Sequence, residues 1–296
     1  MDGAWGVDMR GFLSCAGLAP AALALGVACT APEPPQPTPA ASEVPTHPAA
    51  HAAEGPHWSY EGASGPAAWG ALEPGFSLCA SGRGQSPIDI GTTSAAGAPA
   101  LRASFPPAAL RIAHAEHEAD AINNGHTIEV AYADGDTLTM GDTSYGLVQY
   151  HFHAPSEHTV HGKRWPMEMH LVHKSPSGGL AVVAVLIETG AANAAFDPVW
   201  SHLPQAKGGK SHLEHVKVDV DDLLPKARTS YRYDGSLTTP PCSEGVKWLV
   251  MTAPVQLSSA QIAAFTALVE PNNRPVQPLN GRVVATDLVA EATNVK

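Results

Sequence analysis

The sequence predicts a mainly-β domain of the α+β class: a single domain on one large, central, mostly antiparallel twisted sheet with a few short peripheral helices. Three observations carry this. Strand-like segments rich in β-branched and aromatic residues recur between residues 121 and 257. Helical periods are few and short. The 27 prolines cut the chain into short pieces, as a sheet with many turns requires.

The elements follow in chain order. "AINNGHTIEVAYADGDTLTM" (121–140) reads as a strand, an Asp-Gly turn and a second strand, with alternating faces. "YGLVQYHFHA" (145–154), "PMEMHLVHK" (166–174) and "GLAVVAVLIETG" (179–190) are three further strands, and "KWLVMTAPVQL" (247–257) is another. "AAFDPVWSHLPQ" (194–205) holds a turn of helix. "SSAQIAAFTALVE" (258–270) has a serine cap before a helical apolar period.

Composition bounds the function. The chain has 296 residues, 44% of them apolar, which allows one large core. Its formal net charge is −11, with no run of lysine or arginine, so a nucleic-acid groove is not expected: phosphate binding needs a basic footprint. No apolar stretch of about 20 residues lies within 55–296, so no membrane-spanning helix is expected there.

The first 29 residues differ from the rest. From Met9, an alternative start, "MRGFLSCAGLAPAALALGVACTAPEPP" runs from one positive residue through an apolar stretch to small residues at Cys29, the layout of a secretory signal. "LGVAC" is similar to a lipoprotein cleavage box, with Gly26 where leucine is usual, so the expectations are export, periplasmic or extracellular, and a lipid anchor through Cys29 as the alternative to plain secretion. Residues 30–54 are mostly proline and alanine and read as a disordered linker, and His47, His51 and His57 read as solvated linker histidines. Residues 55–296 are then expected to form the one folded domain. Cys15 and Cys29 fall in the leader, which leaves Cys79 and Cys242. One disulfide suits an exported domain; two free thiols or a metal site are the alternatives, and no CxxC spacing supports the metal.

Six of the fifteen histidines crowd into "LVQYHFHAPSEHTVHGKRWPMEMHLVH" (147–173). Strand side chains alternate with period two, so Gln149, His151 and His153 share one face, as do Glu168, His170 and Val172. If the two strands pair antiparallel through the 154–167 connection, His151, His153 and His170 converge. Three imidazoles with one open position are a catalytic zinc donor set, and Gln149 and Glu168 are placed to orient ligand rings. His158 and His161, in the connection, and His173, on the opposite face, are read as structural or solvent-exposed.

Six segments, "RGQSPIDI" (83–90), "NNGH" (123–126), "QYHFHAPSEHTVHG" (149–162), "EMHLVH" (168–173), "SLTTPPCSEGVKW" (236–248) and "NNRPVQPLNGR" (272–282), occur in the order found in one family. Across about 57–291 the chain resembles the α-class carbonic anhydrases, bacterial exported branch. The resemblance implies zinc-dependent reversible hydration of carbon dioxide to bicarbonate, with Zn2+ on His151, His153 and His170 and a water or hydroxide in the fourth position. It implies that Thr238 accepts from that oxygen and donates to Glu157, and that His126 is the proton shuttle. Thr239 would touch bicarbonate, and Val172, Val182, Leu237 and Trp248 would line the carbon dioxide pocket. It implies the Asn272 carbonyl as partner of His153, and a Cys79–Cys242 disulfide tying the Thr238 loop to the start of the domain. Glu129 departs from the family pattern, standing where an amide is expected. If a bulge brought it to His126, its carboxylate would raise the pKa of that imidazole. The competing expectations are an inactive surface binding domain of the same fold and an unrelated three-histidine metalloprotein. A homodimer is a further partner expectation.

Overall fold

The computed structural model describes residues 57–91, 94–95, 111–113, 119–132, 135–213 and 218–286. The expected leader, the linker to residue 54, Cys15 and Cys29 lie outside these residues.

The described residues form β1 (Asp89–Ile90), β2 (Ser94–Ala95), β3 (Arg111–Ala113), β4 (Ala119–Asn123), β5 (Ile128–Tyr132), β6 (Thr137–Met140), β7 (Thr143–His153), β8 (Thr159–Val160), β9 (Met167–Lys174), β10 (Leu180–Thr189), β11 (Lys210–His212), β12 (Ser230–Ser236), β13 (Glu244–Met251), β14 (Val255–Leu257) and β15 (Ala285–Thr286). The helices are short: α1 (Trp69–Leu72), α2 (Leu78–Ser81), α3 (Asp197–Trp200) and α4 (Ser259–Thr266). None among the described residues is long and apolar enough to cross a membrane.

Thirteen strands join one sheet along the path β11-β4-β5-β7-β9-β10-β13-β12-β15-β2, with β3, β6 and β14 off that path. Most pairs are antiparallel; β10 with β13 and with β14, and β15 with β2, are parallel. Both faces of the sheet centre are covered. One buries Tyr150, Phe152, Met169, Leu171, Val183, Val185 and Leu249. The other buries Val182, Ala184, Leu186, Tyr233, Trp248 and Val250. Strand β10 feeds both cores, which explains its unbroken apolar run.

The turn and helix chemistry acts where expected. Ser258 caps α4, accepting the Gln261 N–H, while the Gln261 side chain accepts from the Ser258 N–H. Gly125, at φ +85°, turns the chain between β4 and β5, and a Cβ there would run into the Lys207 side chain.

Two expectations need correction, and one strand is added. Residues 121–140 do not form one hairpin about the Asp-Gly turn. The hairpin is β4–β5, closed at "NNGH", and β5 and β6 each pair with β7 instead. Strand β7 is eleven residues long and bulged between Leu147 and Gln149, so two short strands fit end to end along it. Residues 247–257 form two strands, because Pro254 has no N–H for the ladder. Strand β12, unforeseen in "SYRYDGS", pairs along β13 from Ser230 to Ser236.

Candidate metal centre

The β7–β9 pairing is antiparallel, setting His151 opposite His170 and His153 opposite Glu168. With the two-residue period, the three predicted histidines therefore rise from one face. Their ligand nitrogens lie within 4.8 Å of one another. Each ring has its other nitrogen held: His151 Nδ1 lies 2.8 Å from Gln149 Oε1, His153 Nδ1 2.7 Å from the Asn272 carbonyl, and His170 Nε2 2.7 Å from Glu168 Oε1. These donations leave His151 Nε2, His153 Nε2 and His170 Nδ1 facing inward. Burial holds the His151 imidazole well below its ordinary pKa, and His153 and His170 press it further down. Burial also lowers His153. Neutral imidazole is the ligating form.

Glu168 is anchored four times. Its Oε1 accepts from His170 and, at 2.6 Å, from His158 Nδ1, and its Oε2 accepts the backbone N–H groups of Glu157 and His158 at 2.8 Å. Burial pushes this carboxyl up, but His158 and His170 outweigh it and hold the pKa well below the usual range. His158 is fully buried, and its Nε2 lies 2.6 Å from the Tyr233 hydroxyl, which meets Ser86 Oγ at 2.9 Å. His158 is thus structural, one of the two expectations for it, but its place behind His170 was missed. No local spacing marks it, because the 154–167 connection carries it back to the site.

Glu157 is also fully buried. Its Oε1 accepts the Arg274 N–H at 2.8 Å. Its Oε2 lies 3.6 Å from His153 Nε2 and 3.9 Å from His170 Nδ1, and neither Glu157 Oε2 nor His153 Nε2 has a hydrogen-bond partner. Unsatisfied buried polar atoms are costly. Three inward imidazole nitrogens beside an unpartnered carboxylate oxygen fit a divalent cation of the zinc type. The implied Thr238–Glu157 hydrogen bond is not formed in this structure: the Glu157 oxygen that would accept it points at the imidazoles.

Four of the residues expected in the carbon dioxide pocket lie close together. Gln149, Val172, Val182 and Trp248 occupy successive positions of one row across the sheet, on the histidine face. Leu237 packs against the same cluster. Thr238 is buried, and the Thr239 carbonyl receives the Cys242 N–H at 2.9 Å. Cys79 and Cys242 are disulfide-bonded, which resolves the cysteine alternatives. Arg274 Nη2 donates to the Cys79 carbonyl at 2.9 Å, so one arginine joins the disulfide region to Glu157.

His126 is carried by the turn between β4 and β5. Its ring stacks on Trp58 with centroids 3.8 Å apart and planes 10° apart, and His57 lies 5.3 Å away. His57 is therefore more than a solvated linker residue. Asn272 Nδ2 donates to the His126 carbonyl at 3.0 Å, linking this turn to the residue that orients His153. Burial, His57 and Lys207 lower the His126 pKa to about 4. The expected upward shift by Glu129 does not occur, since Glu129 is not among the charges acting on His126. An open cavity of about 330 Å3 is lined by His57, Tyr60, His126, Lys207 and Asn272 among others, and by none of the three imidazoles.

Comparisons with known proteins agree with this geometry. A family profile described as eukaryotic-type carbonic anhydrase matches residues 64–288. A carbonic anhydrase of Klebsiella pneumoniae is 47% identical over 231 residues, 77% of this chain and 90% of its own. One of Pectobacterium carotovorum is 44% identical over 236 residues, 79% of this chain and 93% of its own. The solved α-carbonic anhydrase of Thermovibrio ammonificans, in complex with the inhibitor sulfanilamide, superposes with a TM-score of 0.72 at 42% identity, covering 78% of this chain and 99% of that one. A profile spanning most of the chain, relatives this similar and a shared fold have one meaning: the chain belongs to the α-carbonic anhydrase family, enzymes that interconvert carbon dioxide and bicarbonate.

Proposed function

We propose that the chain performs its carbon dioxide hydration with one zinc ion held by His151, His153 and His170. The observation that carries this is the convergence of their three nitrogens within 4.8 Å. When bound, zinc supplies a nucleophile at neutral pH, since in carbonic anhydrase it lowers the pKa of its water to about 7. Gln149, Glu168 and the Asn272 carbonyl fix the three ring orientations, so little reorganisation is needed on metal entry. Val172, Val182, Leu237 and Trp248 offer carbon dioxide a wall without donors or charge, as an apolar linear substrate needs. Thr239 contacts bicarbonate at the pocket wall. Glu157 Oε2, free in the structure, is the acceptor for the Thr238 hydroxyl; once Thr238 donates there, its oxygen can only accept, and ligands without a proton to give are rejected.

His126 carries the proton to solvent. Stacked on Trp58 it is a poor carrier at neutral pH, with a pKa of about 4. Swung off that ring into water it returns toward the ordinary value of about 6.5, suited to the task. Export, a lipid anchor at Cys29 and a homodimer belong to the same proposal; membrane fractionation of the full chain and of Cys29→Ser tests the anchor, and sedimentation tests the dimer.

The test of the whole is stopped-flow carbon dioxide hydration with zinc measured on the same sample. One zinc per chain and activity abolished in His170→Ala is the expected result. Bound zinc without hydration would favour the inactive binding domain.

A further inference from the structure

Glu129 stands directly opposite His151 in the β5–β7 ladder. Directly opposed residues of an antiparallel pair share a face, with Cβ atoms about 5 Å apart. The Glu129 side chain therefore rises on the histidine side of the sheet, beside a proposed zinc ligand. The row through it runs Ile122, Glu129, His151, His170, Ala184 and contains no lysine or arginine. Glu129 is half-buried, and among the described residues nothing hydrogen-bonds or ion-pairs with its carboxylate. It is not a fourth ligand, because the convergent group contains histidine nitrogens alone.

A half-buried carboxylate with no partner costs stability. Its position suggests what it does: a fixed negative charge beside the metal repels other negative charge there. Carbon dioxide is neutral and does not feel this; bicarbonate and small inorganic anions do.

We infer that Glu129 is a specificity-determining residue that weakens anion binding at the metal, easing departure of the anionic product and limiting inhibition by other anions. The inference rests on the zinc proposal above. A single charge at this range and partial exposure should change anion affinity by about fivefold.

The test reads binding rather than turnover. The full chain is loaded with cobalt(II), whose visible spectrum reports ligands, and titrated with thiocyanate and, separately, with the neutral ligand imidazole. Glu129→Gln should bind thiocyanate about fivefold more tightly while imidazole stays within about twofold, and Glu129→Asp should resemble the unaltered protein. Equal tightening of both ligands would mean that Glu129 only obstructs the site, and would overturn the inference. Unchanged thiocyanate affinity in a cobalt-loaded variant would overturn it too, while leaving the metal proposal standing. A protein that takes up no cobalt overturns the metal proposal and this inference together.

Discussion

His158 Nδ1 donates, at 2.6 Å, to the same Glu168 oxygen that receives His170 Nε2. A residue with no place in the donor set thus holds the carboxylate that aims a donor. His158→Phe removes this donor and leaves the Tyr233 hydroxyl without its imidazole partner. Zinc affinity should fall at least about tenfold, the usual effect of losing an outer partner. The zinc-free protein should lose about 1–3 kcal/mol from unsatisfied buried groups. Competition with a chelator and urea unfolding measure the two. Unchanged zinc affinity would mean that Glu168 holds His170 unaided.

Glu157→Gln should have opposite effects on stability and on rate. In the zinc-free protein Glu157 Oε2 is buried without a partner, so a neutral amide should stabilise it by about 1 kcal/mol or more. Hydration should drop by at least about tenfold, because the amide is a weaker acceptor for the Thr238 hydroxyl. Urea midpoints without zinc and stopped-flow rates with zinc decide it. A stabilised protein with full activity would remove Glu157 from the mechanism.

A proton NMR titration should place His126 near 4 in the folded protein. Trp58→Ala should move it up toward 6.5 as water reaches the ring. The stability consequence has a definite sign. Between about 4 and 6.5 the unfolded chain binds the proton that folded His126 refuses, so this contribution is whole above 6.5 and is lost as pH falls toward 4. His126→Gln should therefore lose less stability than the unaltered protein across that window. Parallel curves of urea midpoint against pH for the two proteins would contradict the stacked, buried setting of His126.

The Cys79–Cys242 bond closes a separation of 163 residues. Chain entropy alone assigns such a loop about 5 kcal/mol, and measured effects reach 2–5. Cys79→Ser with Cys242→Ser should lower the melting temperature by about 5–10 °C. Activity should fall before unfolding, because Cys242 closes the turn on the Thr239 carbonyl. Calorimetry and rates at 25 °C on the double variant separate the two effects; a variant that melts lower yet keeps full activity would detach the disulfide from the Thr238 loop.

The sequence by itself determined the cluster of three histidines, the strands carrying it, two of the three ring partners and the cap of α4. Gln149 with His151, Glu168 with His170, and Ser258 with Gln261 are separated by two or three positions. At that range the strand or helix period alone decides which side chains meet. The family motifs then implied the Asn272 carbonyl, the apolar wall and the disulfide. Tertiary structure decided the rest. It placed His158, Tyr233 and Arg274 behind the site, stacked His126 on Trp58, divided β7 between β5 and β6, and set Glu129 beside His151. These contacts join residues far apart in the chain or carried on irregular loops, where no period relates position to direction. Which groups meet there depends on how the two cores pack the loops against the sheet, and that is a property of the whole fold.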